Sequence, residues 1–346
     1  MSVSTPLPFT VVYSNIQQQL ILYVYPIWLI FGIGGGILNL IVFSRPKLRG
    51  SSCCIYFFAA STDHILTLII GIGPTIYALN HSDPQIDSIV FCKIRGYLFQ
   101  ITLMLSRWFV AFACIDRYAL SSDSVNLRHF ASKRIAYRCV IAILLVWSIV
   151  CSHRLIFYEI QGHLCGIITN SGAAIYHTLY VIIGGGILPA IIMIICAFLI
   201  RRNLDRKHKK RLQISAVEHQ QNSLDHQVLI LLSIQIICYI IFTTPQMCNL
   251  IYNAILNTIP NLSRETLALQ RFLSFMAELM LYMFPVTSFY LYTLTSRTFR
   301  NELFTSFRLL PIFRSICTKI RIAPSASNAI NGHDIPQPLP TLVVNQ

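Results

Sequence analysis

The sequence predicts an all-α membrane protein, a bundle of seven transmembrane helices followed by a short amphipathic helix. Hydrophobic residues make up 55% of the 346 residues and charged residues only 12%, which is about half the charged share of an ordinary soluble domain. The apolar residues are also concentrated in blocks of about twenty residues or more, the length that crosses a bilayer as a helix. A soluble helical protein would interrupt such blocks with polar residues at every turn.

Seven blocks, numbered here as spans one to seven, define the domain organisation. They are roughly Leu22–Phe43, Cys54–Leu79, Phe91–Tyr118, Ala136–Tyr158, Ile175–Ile200, Val228–Leu256 and Thr266–Leu294. Residues 1–21 are then an N-terminal segment and residues 22–295 the transmembrane domain. No internal repeat is evident, so the inverted-repeat pattern of many transporters is not seen.

The placement of basic residues predicts the orientation. The net charge is +14, and Lys and Arg are concentrated in alternate segments between the spans and in the C-terminal tail. This bias is typical of cytoplasmic segments and not of a nucleic-acid-binding surface. We therefore expect a multi-pass protein of the plasma membrane, with an extracellular N-terminus and a cytoplasmic C-terminus.

The chain after span seven is predicted to lie on the inner surface of the bilayer and then in the cytoplasm. Residues 296–310 place aromatic and leucine side chains at helical spacing beside arginines, which suits a helix on an anionic leaflet. Residues 311–346 are polar and contain prolines, the composition of a disordered tail. Within this tail, Cys317 is either a lipidation site or a free thiol.

The predicted topology places each of the eleven cysteines in a span or on one side of the membrane. Eight lie within or at the edge of spans, where a cysteine usually acts as a small apolar residue. Only Cys92 and Cys165 fall on the extracellular, oxidising side. Topology therefore allows one disulfide, Cys92–Cys165, which would tie the start of span three to the loop between spans four and five. The alternative is two free extracellular thiols.

The cytoplasmic end of span three carries the triplet Asp116, Arg117 and Tyr118. Arg117 follows Cys92 by 25 residues, or about 37 Å along a helix. One helix thus carries a disulfide anchor at its outer end and a charged triplet at its inner end. The triplet alone is common by chance, but its position on the third of seven spans makes it specific.

With this triplet, the chain resembles the rhodopsin-like G-protein-coupled receptors. The other matching residues follow the family's order along the chain: Asn39, Asp63, Trp147, Pro189, Pro245, Tyr292 and Phe299-Arg300. The resemblance implies a receptor that binds an extracellular ligand and activates a heterotrimeric G protein. It also implies that the protein is not an enzyme, and no catalytic arrangement is evident in the sequence.

The resemblance places the G-protein switch at Arg117. In the family this arginine pairs with the acid before it, here Asp116, and often with an acid at the base of span six. Asp225 matches that second acid; the alternative is a solvated loop charge. Tyr292 belongs to the same switch, and Pro245 would let the inner half of span six swing outward.

Three switch positions depart from the family pattern. Thr243 stands where span six usually has a tryptophan, and Ala197 stands where span five usually has a tyrosine. Phe289 occupies the place of the span-seven proline, and Pro285 comes four residues earlier. An alternative alignment puts Pro285 in the motif and loses Tyr292. A non-signalling ligand-binding receptor is therefore a second hypothesis.

Asp63 lies about ten residues into span two, roughly 15 Å deep, where an ionisable group is normally functional. In the family this aspartate binds sodium, and the partners here would be Asn39, Ser106 and Ser288. The alternative is a protonated, hydrogen-bonded aspartate. Beyond this structural sodium ion, no metal and no cofactor are expected.

The resemblance also implies a ligand pocket between the outer halves of spans three, five, six and seven. The matching residues are Phe99, Gln100, Gln246 and Glu278. Amine receptors carry an aspartate at the place of Phe99, and opsins carry a lysine that span seven lacks, so both classes are disfavoured. Glu278 would meet a basic group of the ligand, pair internally with Arg107 or belong to a water network; Asp63 is a second possible acid for Arg107. The short third cytoplasmic loop favours a peptide ligand.

A transporter is the hypothesis from a different class. It would use Asp63, Arg107 and Glu278 as a charge relay through the membrane. On the extracellular loops, Asn80 and Asn261 begin sequons for glycosylation. Sequons occur often by chance, so they do not discriminate between these hypotheses.

Overall fold

A computed structural model of the protein describes residues 9–161, 164–167, 172–211, 219–256, 259 and 262–309. The structure does not describe the side chains of residues 47, 161, 164, 208–211, 219–229 and 308–309. Within this part of the chain, seven helices are long and apolar enough to cross a membrane, which confirms the predicted fold class. They are Phe9–Phe43, Ser52–Tyr77, Ile89–Ser121, Lys133–Phe157, Gly172–Lys207, Ile230–Leu256 and Arg264–Thr295.

Several spans belong to longer or interrupted helices. Span four consists of the helices Lys133–Cys151 and His153–Phe157. Span five contains Gly172–Tyr180, a π-helical segment Val181–Ile187 and Leu188–Arg211, and span six lies in His219–Leu256. Shorter elements are the helices Pro46–Arg49, Pro84–Asp87 and Val125–Phe130 and the strands Tyr158–Gln161 and Leu164–Ile167.

Span one begins earlier than predicted. Its helix starts at Phe9, so the predicted boundary between residues 21 and 22 lies inside a helix. The reason is packing, because the ring of Tyr13 stacks on that of Phe272 in span seven with centroids 5.0 Å apart. Hydropathy detects the apolar block that crosses a bilayer, whereas this extension is stabilised by a neighbouring helix.

Span three occupies the centre of the bundle. Of the 18 consecutive residues that form its most apolar stretch, 72% are buried, whereas 22% are buried in the corresponding stretch of span four. It packs against spans two, four and five, while span one packs against spans two and seven, and span six against span seven. Residues of span three can therefore contact most of the bundle, which is why its polar residues matter for the site.

The outer faces of the helices are apolar. Large hydrophobic side chains point outward along several spans, including Ile30, Ile149 and Phe198, which are 72%, 73% and 64% exposed. A soluble protein rarely exposes such continuous apolar surface. The seven spans thus present the surface that lipid chains require.

The helix after span seven covers Arg297–Leu309, close to the predicted range. Ser296 caps it, because its hydroxyl accepts a hydrogen bond from the Phe299 amide at 3.2 Å. The Phe299 ring packs against those of Phe43 and Tyr292, with centroids 5.5 and 5.7 Å apart. The predicted tail and Cys317 lie outside the described residues.

Candidate functional site

One end of the bundle is covered by the two-stranded hairpin between spans four and five. Strands Tyr158–Gln161 and Leu164–Ile167 pair antiparallel. Cys165, on the second strand, is bonded to Cys92 near the start of span three, with Cα atoms 5.8 Å apart. This confirms the predicted disulfide. We call this end the disulfide end, and the opposite end, which holds Asp116 and Arg117, the Arg117 end.

A cavity of about 420 Å³ lies beneath the hairpin, within the size range of small-ligand sites. All four residues predicted for the ligand pocket line it: Phe99, Gln100, Gln246 and Glu278. The other polar lining residues are Gln85, Arg95, Arg107, Arg154, Tyr158, His177, Asn249, Asn253 and Ser274. Spans three, five, six and seven all contribute, as the resemblance implies, and the hairpin closes the top.

Arg95, on span three, is held by carbonyl groups of span two. Its Nε donates to the Ile70 oxygen at 3.2 Å and its Nη2 to the Gly71 oxygen at 2.7 Å. Pro74 has no N–H to donate to the Ile70 carbonyl four residues earlier, so the helix itself leaves that oxygen free. The remaining Nη1 donates to Gln85 at 2.6 Å. Arg95 thus supplies the hydrogen bond to the Ile70 carbonyl that Pro74 cannot make within span two.

Arg107 makes the same kind of contact with span five, deeper in the bundle. It is 3% exposed, and its Nη1 donates to the Gly185 oxygen at 2.9 Å. Pro189, four residues later, cannot donate to that carbonyl. The Tyr239 hydroxyl of span six also donates to the Gly185 oxygen, at 2.6 Å. The π-helical segment Val181–Ile187 therefore joins spans three, five and six at one carbonyl.

Pairing of Arg107 with an acid, one of the alternatives for Glu278, is not observed. Among the residues that the structure describes, no ion pair joins Arg107 to Glu278 or to Asp63. Glu278 instead accepts a hydrogen bond from the Tyr282 hydroxyl at 2.6 Å. The fully buried Tyr282 ring in turn packs against Phe99, with centroids 5.8 Å apart.

Arg154, at the end of span four, contacts the hairpin. Its Nη1 donates to the Gly96 oxygen at 2.8 Å, and its guanidinium lies 4.7 Å from the centre of the Tyr158 ring. Its Nη2 is 3.1 Å from Nε2 of His177. Arginine only donates hydrogen bonds, so this histidine nitrogen is the acceptor. The other ring nitrogen then carries the proton and donates to the Tyr180 hydroxyl at 3.2 Å.

Deeper in the bundle, a polar cluster surrounds Ser288 of span seven. The Asn39 amide donates to its hydroxyl at 3.5 Å, and Nδ1 of His64 lies 3.3 Å from the same atom. Asp63 is 4% exposed, and neither of its carboxylate oxygens has a hydrogen-bond partner among the described residues. The Ser106 hydroxyl donates to a carbonyl of its own helix, while the backbone of Ser106 lies beside the Asp63 carboxylate.

This cluster fits a sodium ion in its donor chemistry. Both carboxylate oxygens of Asp63 and the side-chain oxygen of Asn39 are buried without a partner, and hard cations prefer such oxygen ligands. Asn39 and Ser288 are brought together as predicted, and His64 is a further side chain at this hydroxyl that was not predicted.

At the Arg117 end, Arg117 pairs with its neighbour in the triplet. Its Nε lies 3.8 Å from Oδ2 of Asp116, which is 1% exposed. Its Nη2 donates to the Ser51 hydroxyl at the start of span two. The side chain of Asp225 lies outside the described residues, so the predicted Arg117–Asp225 contact stays a prediction. Tyr118 is partly exposed beside this pair.

Tyr292, at the same end of the bundle, connects span seven to span six. The Gln235 amide of span six donates to the buried Tyr292 hydroxyl at 2.7 Å. The Tyr292 ring packs against Phe43 and Phe57, with centroids 5.4 and 5.3 Å away. Beside it, a cavity of about 190 Å³ is lined mainly by rings, thiols and aliphatic side chains, with Arg117 in its wall.

The remaining predicted positions fall in different places. Thr243, which stands in place of a tryptophan, is 4% exposed in span six. Asn80 is exposed just after the end of span two, at the disulfide end. Asn261 and Cys317 lie outside the described residues.

Sequence reasoning missed several residues that the fold brings into the site. Arg95, Arg154, His177 and Tyr239 were not predicted, although two of these contacts have a local signal. A proline four residues after Ile70 and another after Gly185 mark carbonyls that their own helices leave free. No comparable signal identifies Arg154 and His177, since their contact depends on how spans four and five pack.

Comparison with known proteins agrees with this architecture. The family model of the seven-transmembrane receptors (rhodopsin family) matches residues 35–307. Neuromedin-U receptor 2 of Mus musculus is 26% identical over 125 residues, which are 36% of this chain and 31% of that protein. A putative G-protein coupled receptor of Caenorhabditis elegans is 30% identical over 159 residues, 44% of this chain and 35% of that protein.

The matched segments span about a third of the length of these curated relatives. The family match is longer: it begins in the last part of span one and includes spans two to seven, the Cys92–Cys165 disulfide and the Asp116–Arg117 pair. The chain therefore belongs to the rhodopsin family of seven-transmembrane receptors.

Proposed function

We propose that the protein is a G-protein-coupled receptor that binds an extracellular ligand in the cavity beneath the hairpin and activates a heterotrimeric G protein at the Arg117 end. In this proposal the disulfide end faces outward and the C-terminus is cytoplasmic, which agrees with the distribution of Lys and Arg. Asn80, exposed at the disulfide end, is then available for glycosylation.

The observation that carries this proposal is that span six takes part in both ends. Gln246, Asn249 and Asn253 line the cavity at the disulfide end. Gln235, about 16 Å away along the same helix, is bonded to Tyr292 at the other. Pro245 lies inside this helix and leaves a backbone carbonyl one turn earlier without its helical partner. A ligand that moves the outer part of span six can therefore change the contact at its inner part.

The proposed mechanism uses two arrangements of span six, the closed one that is observed and an open one. In the observed arrangement Gln235 holds span six against span seven, and Arg117 is paired with Asp116 and Ser51. A ligand that binds more tightly when these contacts are open shifts the population toward the open arrangement. The opening then exposes Arg117 and the adjacent cavity to a G protein.

A peptide is the ligand class that we propose. The likeness to a neuromedin-U receptor supports it, as does the short loop between spans five and six. Phe99 stands where a carboxylate would be needed for an amine ligand, and it forms part of the cavity wall.

The test is a screen of peptides on cells that express the full chain with a promiscuous G protein, with nucleotide exchange as the readout. We expect an active peptide to lose its effect in Arg117→Ala and to keep it in Arg138→Ala, which changes an exposed arginine of span four. A peptide that binds without accelerating exchange on any G protein would identify a non-signalling receptor instead. Solute uptake that survives Arg117→Ala would identify a transporter, although no described ion pair joins Asp63, Arg107 and Glu278.

Two finer parts of the proposal have their own tests. For sodium, the thermal midpoint of the purified protein should rise in NaCl relative to choline chloride, and Asp63→Asn should remove the difference. For the Arg117–Asp225 contact, Asp225→Ala should raise basal nucleotide exchange. Unchanged basal exchange would count against that contact.

A further inference from the structure

We infer that the cavity accepts an anionic group of its ligand, a carboxylate, at Arg107. The inference rests on the proposed function to the extent that this cavity is the ligand site. It adds the chemical class of the group that reaches the cavity floor, which neither the family match nor the relatives specify.

The first observation is the balance of charges around the cavity. Three arginines line it, Arg95, Arg107 and Arg154, against one carboxylate, Glu278. None of the three makes an ion pair with a carboxylate of the described residues. Their partners are backbone carbonyls, the Gln85 amide and the His177 ring. Neutral partners satisfy N–H groups but leave the positive charges uncompensated.

Arg107 is the least satisfied of the three. Arg95 uses Nε and both terminal nitrogens, whereas the one hydrogen bond that Arg107 is seen to make joins Nη1 to the Gly185 oxygen. The guanidinium has five N–H groups and no acceptor, so most of its donors remain available. It is 3% exposed inside the bundle, where an unpaired charge is costly and an anion that pairs with it is strongly favoured.

The route to Arg107 follows one face of span three. Gly96, Gln100, Leu103 and Arg107 all line the cavity, at the spacing of successive helical turns. Arg107 lies about 16 Å below Gly96 along the helix axis. Gln100 is 3% exposed and has an amide nitrogen without a partner. A ligand carboxylate would therefore pass an amide and an apolar side chain before it reaches the guanidinium.

The structure also makes room for the guanidinium. A Cβ at Gly185 would lie 2.5 Å from Nη1 of Arg107 and 2.7 Å from the terminal methyl of Met104. Glycine at this position thus lets the side chain lie against span five. Glu278 does not neutralise it, because that carboxylate accepts its hydrogen bond from Tyr282.

Two sources of the carboxylate are distinguished by the choice of probes. The full chain is purified in lipid nanodiscs, without a G protein, and its thermal midpoint is measured with matched pairs. One set contains short peptides as the free C-terminal acid and as the C-terminal amide. The other contains small dicarboxylic acids and the corresponding diamides. We expect members of one acid set to raise the midpoint and their amides to have little effect.

Variants locate the site. Arg107→Gln should weaken the effective acid by about 30-fold or more, as expected when one partner of a buried charge pair is truncated. Arg107→Lys should retain part of the affinity because it keeps the charge without the planar fork. Arg138→Gln, an exposed arginine of span four, is the matched control and should bind the acid like the natural protein.

The inference is overturned if no acid shifts the midpoint more than its amide, or if Arg107→Gln binds the acid as tightly as the natural protein. The acid–amide comparison in the unchanged chain decides the question even if the variants fold poorly. Failure of the receptor proposal looks different. An acid that binds through Arg107 but never stimulates nucleotide exchange supports the anion site and contradicts signalling. An amide that stimulates exchange as well as its acid supports signalling and contradicts the anion site.

Discussion

The two ends of the bundle enclose cavities of different character. At the disulfide end about 420 Å³ is lined by three arginines, a glutamate and several amides, whereas at the Arg117 end about 190 Å³ is lined mainly by rings, thiols and aliphatic side chains. Gln100, Arg154 and Gln246 keep buried polar atoms without partners at the first end. At the second, Tyr292 is bonded to Gln235 and Arg117 contacts Asp116 and Ser51.

The two ends differ in how their buried polar and charged groups are paired. Buried polar groups without partners are costly, so the disulfide end gains stability when a polar ligand supplies the missing contacts. At the Arg117 end Asp116, Arg117 and Gln235 also keep buried atoms without a hydrogen bond. The charge of Arg117 is nevertheless paired with Asp116, whereas the three arginines at the disulfide end have no carboxylate partner among the described residues. Four substitutions test this contrast, from the largest expected effect to the smallest.

Cys92→Ser should have the largest effect, because it releases the hairpin that covers the cavity. The disulfide joins residues 73 positions apart, and closing a loop of that length contributes up to about 4 kcal/mol. We expect a large drop in the thermal midpoint and loss of ligand binding. Cys248→Ser, which changes an exposed free thiol, is the control. An unchanged midpoint in Cys92→Ser would mean that strand pairing alone holds the hairpin.

Gly71→Ala should destabilise the wall of the polar cavity by about 1–3 kcal/mol through overpacking. The added Cβ would lie 2.6 Å from the Tyr282 ring and 2.8 Å from the Phe99 ring, so these side chains would have to shift. Gly73→Ala in the same helix meets no atom within 4 Å and serves as the control. Equal thermal midpoints for the two variants would contradict the tight packing at Gly71.

Tyr292→Phe removes the hydroxyl that holds span six to span seven at the Arg117 end. The loss of one buried hydrogen bond should lower the free energy of unfolding by about 1 kcal/mol. If the protein signals as proposed, basal nucleotide exchange should rise because the closed arrangement is weakened. Tyr137→Phe, on the exposed face of span four, is the control. A fall in basal exchange would show that this contact belongs to the active arrangement.

Arg45→Gln should have the smallest effect. Arg45 lies 3.7 Å from Glu302 in the helix after span seven, and its side chain is 28% exposed. Partly exposed ion pairs contribute about 0–1 kcal/mol and are screened by salt. The difference in thermal midpoint from the natural protein should shrink as salt is added. A large, salt-independent loss would place this pair among the structural contacts of the Arg117 end.

Much of the architecture could be predicted because the relevant forces are local to each segment. A bilayer requires about twenty apolar residues for each span, so hydropathy locates the spans without knowledge of their neighbours. The disulfide followed from topology, since only Cys92, at the start of span three, and Cys165, in the loop after span four, were predicted on the extracellular side. The four pocket residues came from the family's order of motifs, and all of them line the cavity.

The partners of the charged residues could not be predicted in the same way. An acid was one of the partners considered for Arg107, but Arg107 donates to the Gly185 oxygen of span five. The Ser106 hydroxyl was expected to serve Asp63, but it donates to its own helix and only the Ser106 backbone lies beside that carboxylate, while His64 contacts Ser288. Such contacts depend on the rotation of each helix about its axis and on the gaps that prolines leave, and neither is encoded in hydropathy.

The sequence by itself determined the number of spans, the disulfide and the side chains available to each end, because the cost of placing polar atoms in lipid acts on every segment separately. The tertiary structure decided which polar atoms are paired and which are left open to the cavity. It brings Gly185, Arg107 and Tyr239 together from three helices. Residues so far apart in the chain meet only when the packing of all seven helices fixes their distances.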